Sequence, residues 1–213
     1  MSEPTPLVVK IGGGLLRDAG LEGLRRACAD VGEAAATRAV LVVPGGGPFA
    51  DAVRAVDAQV GLTDAAAHAL ALQAIDQLGT LLAGMLPEAD LVSELVAPRT
   101  LGLLLAAPAF AGRPDVPESW EVTSDSLAVL AAAAIGGETA VLLKPVAGLL
   151  ARWPSEDPPV ARLTAGELGA LQAAGGGRVV DAYLPEAVRR TGVSVTIRAP
   201  GAGRGAGTHI TPG

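Results

Sequence analysis

Short apolar runs that end at glycine or proline alternate along this chain with longer segments rich in alanine and leucine. The runs at 7–11 (LVVKI), 39–43 (AVLVV) and 139–143 (TAVLL) have the length and composition of strands that are buried on both faces. The segments between them have helical spacing. Strands that alternate with helices favour a parallel sheet. We therefore expect an α/β fold with a mainly parallel sheet.

Several helices begin at recognisable signals. Pro48 suits a first helical turn and opens a helix to about residue 60, and Thr63 is a candidate N-cap for a helix over 64–86. Residues 97–119 are rich in proline, so we expect a short strand and a long loop between two lobes there. The remaining predicted elements are helices over 21–36, 123–135, 164–174 and 185–191, with segments at 178–182 and 193–197 that complete the pattern.

The composition excludes several classes of protein. The chain has 213 residues and a formal net charge of -6, so it has no broad cationic field for binding nucleic acid. The single cysteine, Cys28, excludes an internal disulfide and a multi-cysteine metal site. Uncharged stretches stop at about a dozen residues, short of a membrane span of roughly 18, and the N-terminus does not resemble a signal peptide. We expect a cytoplasmic protein that acts on a small molecule, without nucleic acid or membrane as a partner.

Lysine is the most informative residue type in the chain. Of sixteen basic residues only Lys10 and Lys144 are lysine, and each follows an apolar run and precedes a glycine or proline turn. Ligands of open α/β sheets bind at the carboxyl ends of the strands, where a compact ammonium group suits an anion. The pattern therefore indicates a paired anion site. Two surface lysines placed there by chance are the alternative.

Two glycine triplets, at 12–14 and 45–47, follow predicted strands and precede helices. Backbone N–H groups in such loops can approach a phosphate beside a helix N-terminus, although tight turns alone also require glycine. Neither triplet is a Walker loop. Gly45, Gly47 and Ala50 match a loose dinucleotide-binding fingerprint with Asp64 about twenty residues further on. A dinucleotide-binding oxidoreductase is therefore an alternative.

The sequence TSDS at 123–126 opens a predicted helix after the strand-like segment 120–122. An ordinary helix N-cap with an acid in the first turn explains this pattern. The functional interpretation makes Asp125 an acceptor that orients the two ammonium groups.

In their order along the chain, VVKIGGGLL, VLVVPGGGPFADAVR, SWEVTSDSLAVLAA, VLLKPVAGL and GAGT resemble the amino acid kinase family over nearly the whole sequence. The resemblance implies a three-layer αβα sandwich with a mainly parallel central sheet, in a single domain over 1–213. It implies an acceptor-binding half at about 1–115 and an ATP-binding half at about 116–213. ATP and Mg²⁺ are the implied cofactors, and a homo-oligomer is the implied assembly.

The resemblance also implies a role for each matching residue. Lys10 would contact the transferring phosphoryl group, Asp125 would organise the lysines, and Lys144 would hold the β- and γ-phosphates. Backbone N–H groups of the first glycine loop would donate hydrogen bonds to the phosphoryl group. The expected nucleotide-binding residues are Lys10, Gly12, Gly13, Thr123, Ser124, Lys144 and Gly148. One departure is Ala147, which stands where the family often has aspartate and removes a carboxylate near the nucleotide.

The second glycine loop and three larger side chains are expected to face the phosphoryl acceptor. These residues are Gly45, Gly46, Gly47, His68, Asp76 and Trp120. A carboxylate at Asp76 would suit an aminomethyl group and His68 a phosphate, whereas a subunit interface on their helix is the alternative. Trp120 would stack on a flat ring or pack in the core. Trp153 would cover the adenine, and no residue is assigned as a metal ligand.

Within the family, residues 43–79 followed by SWEVTSDS are most similar to the kinases of methanofuran biosynthesis, which phosphorylate an aminomethylfuran-methanol phosphate to its diphosphate. This implies an ATP-dependent kinase of that acceptor in one-carbon metabolism. Kinases of an amino acid, a carbamate, or a nucleoside or isoprenoid monophosphate are alternatives, and so is a non-catalytic nucleotide-binding storage or regulatory protein. The sequence shows no arginine cluster at the glycine loops, which disfavours a carboxylate acceptor.

Overall fold

In the computed structural model, which describes residues 4–152, 155–203 and 205–213, eight strands form one sheet. The strands are β1 (Leu7–Ile11), β2 (Val40–Pro44), β3 (Asp90–Val92), β4 (Leu101–Leu104), β5 (Thr139–Leu143), β6 (Arg162–Thr164), β7 (Ser194–Arg198) and β8 (Thr208–Thr211). Their order in the sheet is β3-β4-β2-β1-β5-β7-β8-β6. All neighbouring strands are parallel except β7 and β8. The predicted mainly parallel sheet is confirmed.

Helices connect the strands and cover the sheet. They are α1 (Gly14–Ala35), α2 (Gly47–Val60), α3 (Asp64–Ala83), α4 (Ala106–Phe110), α5 (Ser124–Ala134), α6 (Ala165–Ala173) and α7 (Leu184–Thr191). The predicted N-cap of α3 is present, because Thr63 accepts a hydrogen bond from the Ala66 N–H. Helix α1 begins earlier than predicted and is interrupted at Gly20, whose φ of 58° lies in the left-handed region that glycine tolerates.

Apolar side chains alternate along the central strands and form a hydrophobic core on each face of the sheet. Val8 of β1 and Leu41 of β2 belong to one core, which α5, α6 and α7 cover. Val9 and Val42 point the opposite way into a second core, which α1 and the end of α3 cover. These layers confirm the predicted αβα sandwich.

The structure differs from the predictions in its short elements. Strands β3, β6 and β8 and helix α4 were not predicted, and residues 178–182 form turns. Strands β3 and β6 have three residues each and lie at the two edges of the sheet, too short for an alternating pattern to show. The proline-rich segment 97–119 contains a short strand, β4, as predicted.

Candidate active site

Strand alternation places both lysines on the same face of the sheet. Lys10 is two residues after Val8 on β1, and Lys144 is two residues after Leu142 at the end of β5. Val8 and Leu142 pack in the core covered by α5. Because residues i and i+2 of a strand share a face and β1 pairs with β5, the two ammonium groups meet beneath α5.

Asp125, in the first turn of α5, lies between the two lysines. Its Oδ1 is 2.8 Å from Lys10 Nζ, and its Oδ2 accepts a hydrogen bond of 2.7 Å from Lys144 Nζ. The Lys144 ammonium also donates to the Val179 carbonyl oxygen at 2.7 Å. All three charged residues are buried. The structure thus brings together the predicted catalytic set of Lys10, Asp125 and Lys144.

Burial and neighbouring charge shift the pKa values of this group. Burial opposes ionisation of Asp125, but the charges of Lys10 and Lys144 outweigh it and lower its pKa to about 2. Burial lowers the pKa of Lys10 from 10.5 to about 8, although Asp125 favours the charged form. Asp125 is therefore an ionised bridge at neutral pH, with both oxygens engaged by lysine.

Asp181 is a half-buried carboxylate at this site that sequence analysis missed. It accepts hydrogen bonds from the backbone N–H and the hydroxyl of Thr123 at 3.0 and 2.9 Å. It also accepts from the backbone N–H of Ser126 at 3.0 Å and from the Ser126 hydroxyl. Burial and then the charge of Asp125 raise the pKa of Asp181 to about 6. No local motif marks Asp181, because its partners lie on a distant helix.

A cavity of about 170 Å³ opens beside the lysines, at the carboxyl ends of β1 and β5. Most of the predicted site residues line it. They are Lys10, Gly13, Gly46, Gly47, His68, Trp120, Thr123, Ser124, Asp125 and Lys144. Gly12, Gly45, Asp76 and Gly148 do not line it. The cavity is therefore the candidate place for phosphoryl transfer.

The two glycine loops contact each other through their backbones. A Cβ atom on Gly13 would lie 2.1 Å from the Gly47 nitrogen, so no larger residue fits there. The Gly12 N–H, which was predicted to contact phosphate, donates to the Leu143 carbonyl at 2.9 Å in this structure. Gly45 likewise donates its N–H to the backbone of β1. These two glycines serve the packing of the loops.

The two α3 residues that were predicted to contact the phosphoryl acceptor, His68 and Asp76, have different environments. His68 is buried at the cavity wall, and burial lowers its pKa below the usual 6.5, so that the ring is neutral at pH 7. Asp76 instead accepts hydrogen bonds from the backbone N–H groups of Ala106 and Ala107, at the start of α4. The structure therefore does not support the prediction that Asp76 reaches the acceptor.

Trp120 is held at the cavity wall by two side chains of α2. Its Nε1 donates to Asp57 at 2.8 Å, and the Arg54 guanidinium lies 4.9 Å from its ring centroid. Arg17 and Arg54 both line the cavity and both pair with Asp51. The expected absence of an arginine cluster at the acceptor loops is therefore wrong. This pair could not be recognised in the sequence, because its members lie on separate helices, α1 and α2, that meet only in the folded chain.

Two further cavities, of about 280 and 270 Å³, lie beyond Lys144 in the C-terminal half of the chain. Val146, Leu150 and Val179 line both cavities, and Gly148 lines the second. A Cβ atom on Gly148 would lie 2.8 Å from the Thr208 hydroxyl, so this position also requires glycine. The prediction for Trp153 lies outside the described residues.

A sequence model of the amino acid kinase family matches residues 5–199. The chain belongs to the amino acid kinase family. The predicted family is thereby confirmed, and as a member of the amino acid kinase family the chain is a phosphotransferase.

Named relatives and solved structures agree with membership of the amino acid kinase family. The (5-(aminomethyl)furan-3-yl)methyl phosphate kinase of Methanocaldococcus jannaschii is 26% identical over 152 residues, which is 69% of each chain. Uridylate kinase from Archaeoglobus fulgidus superimposes with a TM-score of 0.74 at 19% identity, over 96% of this chain and 99% of that one. UMP kinase from Bacillus anthracis gives 0.75 at 15% identity, over 99% and 97%. These two likenesses show the amino acid kinase fold.

Two further findings for this amino acid kinase family member concern metal binding and membrane spanning. In the described part of the chain, no three His, Cys, Asp or Glu side chains form a group that could hold a metal ion. Among the same residues, no helix is both long enough and apolar enough to cross a membrane.

The lowered pKa of Lys10 predicts a loss of activity in mild alkali. The ammonium group is charged below about pH 7 and loses its charge as pH rises through 8, so we expect kcat/KM for ATP to fall above pH 8. Lysine labelled with ¹³C at Cε gives only two side-chain signals in this chain, because it contains only two lysines. One signal should titrate near pH 8 in NMR spectra of the free protein. Two signals that stay constant to pH 9.5 would contradict the prediction.

Proposed function

We propose that this chain transfers the γ-phosphoryl group of ATP to the phosphate of a small phosphomonoester, with an aminomethylfuran-methanol phosphate as the acceptor. The observation that carries the proposal is the buried group of Lys10, Asp125 and Lys144 beside the cavity. Two buried ammonium groups beside the cavity would neutralise the charge that phosphoryl transfer concentrates between donor and acceptor. The name of the Methanocaldococcus relative supports the choice of acceptor.

The state of Asp125 favours an acceptor that is already ionised. Both oxygens of Asp125 face ammonium groups and its pKa is about 2, so it is a poor base for a hydroxyl group. A phosphomonoester has a second pKa of about 6 and carries a nucleophilic oxygen at pH 7 without further proton removal. That oxygen would bond to the γ-phosphorus as the bond from the γ-phosphorus to the bridging oxygen breaks, releasing ADP.

The walls of the cavity offer partners for both ends of such an acceptor. Arg17 and Arg54 present guanidinium groups that suit a phosphate, and neutral His68 can donate one hydrogen bond to it. Asp51 is an acidic wall residue suited to an aminomethyl ammonium group, and Trp120 provides a flat apolar surface. These contacts support a charged, flat acceptor in the N-terminal half of the chain.

ATP would occupy the C-terminal half. We assign its base to the cavities lined by Val146, Leu150 and Val179, since Lys144 contacts Val179 and thus lies between these cavities and Lys10. The described residues do not form a metal site of their own, Asp125 already pairs with both lysines, and Asp181 accepts hydrogen bonds from Thr123 and Ser126. Mg²⁺ would therefore enter with ATP, held by phosphate oxygens and water. Within the protein itself, we assign charge neutralisation to Lys10 and Lys144.

The test is ADP release from Mg-ATP with a panel of acceptors. The panel contains aminomethylfuran-methanol phosphate, uridylate, isopentenyl phosphate, acetylglutamate and aspartate. We expect strong acceptor-dependent turnover with the furan alone. Turnover with a different compound would support the proposed kinase activity but identify a different acceptor. Absence of turnover with every compound would reject the proposed acceptor classes.

Side chains at the cavity wall should control acceptor affinity. We expect Arg54→Gln, which removes the guanidinium charge, and His68→Ala, which removes the ring N–H donor, each to raise the acceptor KM roughly tenfold or more, since each weakens the hydrogen bonding to a charged phosphate. The KM for ATP should stay within a factor of two or three. Arg99→Gln removes an exposed arginine away from the cavity and serves as the control. A collapse of kcat in His68→Ala without a change in KM would instead identify His68 as a base and the acceptor as a hydroxyl compound.

A further inference from the structure

Asp181 supplies the N-terminal cap of α5 from a distant part of the chain. Thr123 is the N-cap residue by position, but its own side chain makes no capping hydrogen bond. The Asp181 carboxylate takes over this role and accepts from the backbone N–H groups of Thr123 and Ser126. It also accepts from both hydroxyls. The first turn of α5, which carries Asp125, is therefore fixed from outside the helix.

The segment that carries Asp181 also contacts other parts of the site. The Val179 carbonyl accepts from Lys144, and the Asp181 carbonyl accepts from the Gln172 side chain on α6 at 3.0 Å. The Tyr183 N–H donates to the Glu121 carbonyl at 3.1 Å, just before α5. One short segment thus holds a lysine, the start of α5 and a neighbouring helix in fixed relation.

We propose that Asp181 is a positioning residue, which fixes the first turn of α5 so that Asp125 stays between Lys10 and Lys144. This inference rests on the proposed phosphoryl transfer, because that reaction gives the position of the lysines its importance. Asp181 acts through Asp125 and its hydrogen bonds to the helix. A misplacement of about 1 Å at a reacting centre can cost roughly 10²-fold in rate, so a loose first turn should be costly.

The pattern of hydrogen bonds separates the effect of geometry from that of charge. Asp181 Oδ2 accepts from Thr123 N, Thr123 Oγ1 and Ser126 N, whereas Oδ1 accepts only from the Ser126 hydroxyl. An asparagine can keep the first three bonds with its carbonyl oxygen and donate its amide to the Ser126 hydroxyl, which also accepts. Asp181→Asn therefore removes the charge and keeps the cap, whereas Asp181→Ala removes both.

Kinetics of the two variants form the first test. We expect Asp181→Ala to lower kcat by about 10- to 100-fold with KM for ATP and acceptor nearly unchanged, and Asp181→Asn to stay within about threefold of wild type. Glu167→Ala is the matched control, since Glu167 is a capping carboxylate on α6, away from the cavity. It should leave kcat unchanged.

The two lysine signals give a second readout that needs no substrate. In protein labelled at lysine Cε, Asp181→Ala should shift both signals, because Asp125 no longer holds the ammonium groups in place. Asp181→Asn and Glu167→Ala should keep the wild-type spectrum. If no acceptor is turned over by the wild-type protein, these spectra still decide whether Asp181 positions the lysines. Failure of the proposed reaction and failure of the positioning role are therefore distinguishable.

Three results would overturn the proposal. Wild-type kcat and lysine signals in Asp181→Ala would show that α5 needs no external cap, and equal loss in Asp181→Asn and Asp181→Ala would assign the effect to charge. A change confined to KM for ATP would make Asp181 a nucleotide contact.

A second variant covers the case in which Asp181→Ala does not fold. Ser126→Ala removes one of the four hydrogen bonds to Asp181, and it should perturb the lysine signals and lower kcat severalfold. Unchanged signals and kcat in Ser126→Ala would then count against the proposal.

Discussion

Lys144→Met and Lys10→Met will each lower kcat by about 10²- to 10³-fold while the fold remains intact. Each substitution removes one preorganised positive group from a site where charge develops, and loss of such a donor typically has this cost. Methionine keeps the length and apolar character of the lysine side chain, so the packing under α5 should change little. The measurement is acceptor-dependent ADP release, with circular dichroism and thermal melting as the test of folding.

Arg99→Met is the control for these lysine variants. It removes an exposed positive charge that does not line the cavity and should keep wild-type kcat. Near-wild-type turnover in either lysine variant would reject the assignment of that lysine to phosphoryl transfer. A loss of turnover matched by a loss of the folded signal would assign the lysine to stability instead.

Asp125→Asn will lower kcat by at least about 10²-fold and also destabilise the protein. The substitution keeps the shape of the side chain but leaves two buried ammonium groups without their shared carboxylate. Removing one partner of a buried ion pair costs about 3 to 5 kcal/mol, and we expect a loss of unfolding free energy near the lower end. Urea denaturation at pH 7 measures it.

The pH dependence of the Asp125→Asn deficit follows from the pKa of Asp125. Because the carboxyl pKa falls from 3.8 to about 2 in the folded protein, its contribution to stability is fully present above about pH 4 and is lost as pH falls through 2. The difference between wild type and variant should therefore narrow in acid. Asp115→Asn breaks only the exposed ion pair with Arg113 and should cost about 1 kcal/mol or less. A deficit equal to that of this control would contradict the buried bridge.

The central sheet could be predicted from the sequence because its strands are buried on both faces. Continuous apolar runs bounded by glycine or proline marked β1, β2 and β5. Short strands such as β6 are partly exposed and lack a continuous apolar run. β6 joins the sheet by pairing with β8, and this contact cannot be predicted from the local sequence. Gly20 interrupts α1 without ending it, so the continuous helical pattern in the sequence marks only the second part of this helix.

The lysines of the site could be predicted for a different reason. Their rarity in an arginine-rich chain and their position after apolar strands both pointed to the carboxyl edge of the sheet. Asp181 and the Arg17–Arg54 pair could not be predicted from the sequence. The contacts of each are made between segments that only the tertiary fold brings together. Asp76 lies on the expected helix, but its carboxylate is used by the start of α4. Helical spacing alone could not reveal that competition.

The neighbouring positions of β1 and β5 mean that the active centre is assembled from two stretches of chain that are remote in sequence. Lys10 belongs to the first strand, whereas Asp125 and Lys144 follow more than a hundred residues later. A nascent chain that has emerged only through β4 would hold one lysine with no carboxylate beside it and an unpaired edge along β1. During synthesis, the charge centre can therefore form only after β5 has joined the sheet. A chain interrupted before that point would lack the bridge altogether.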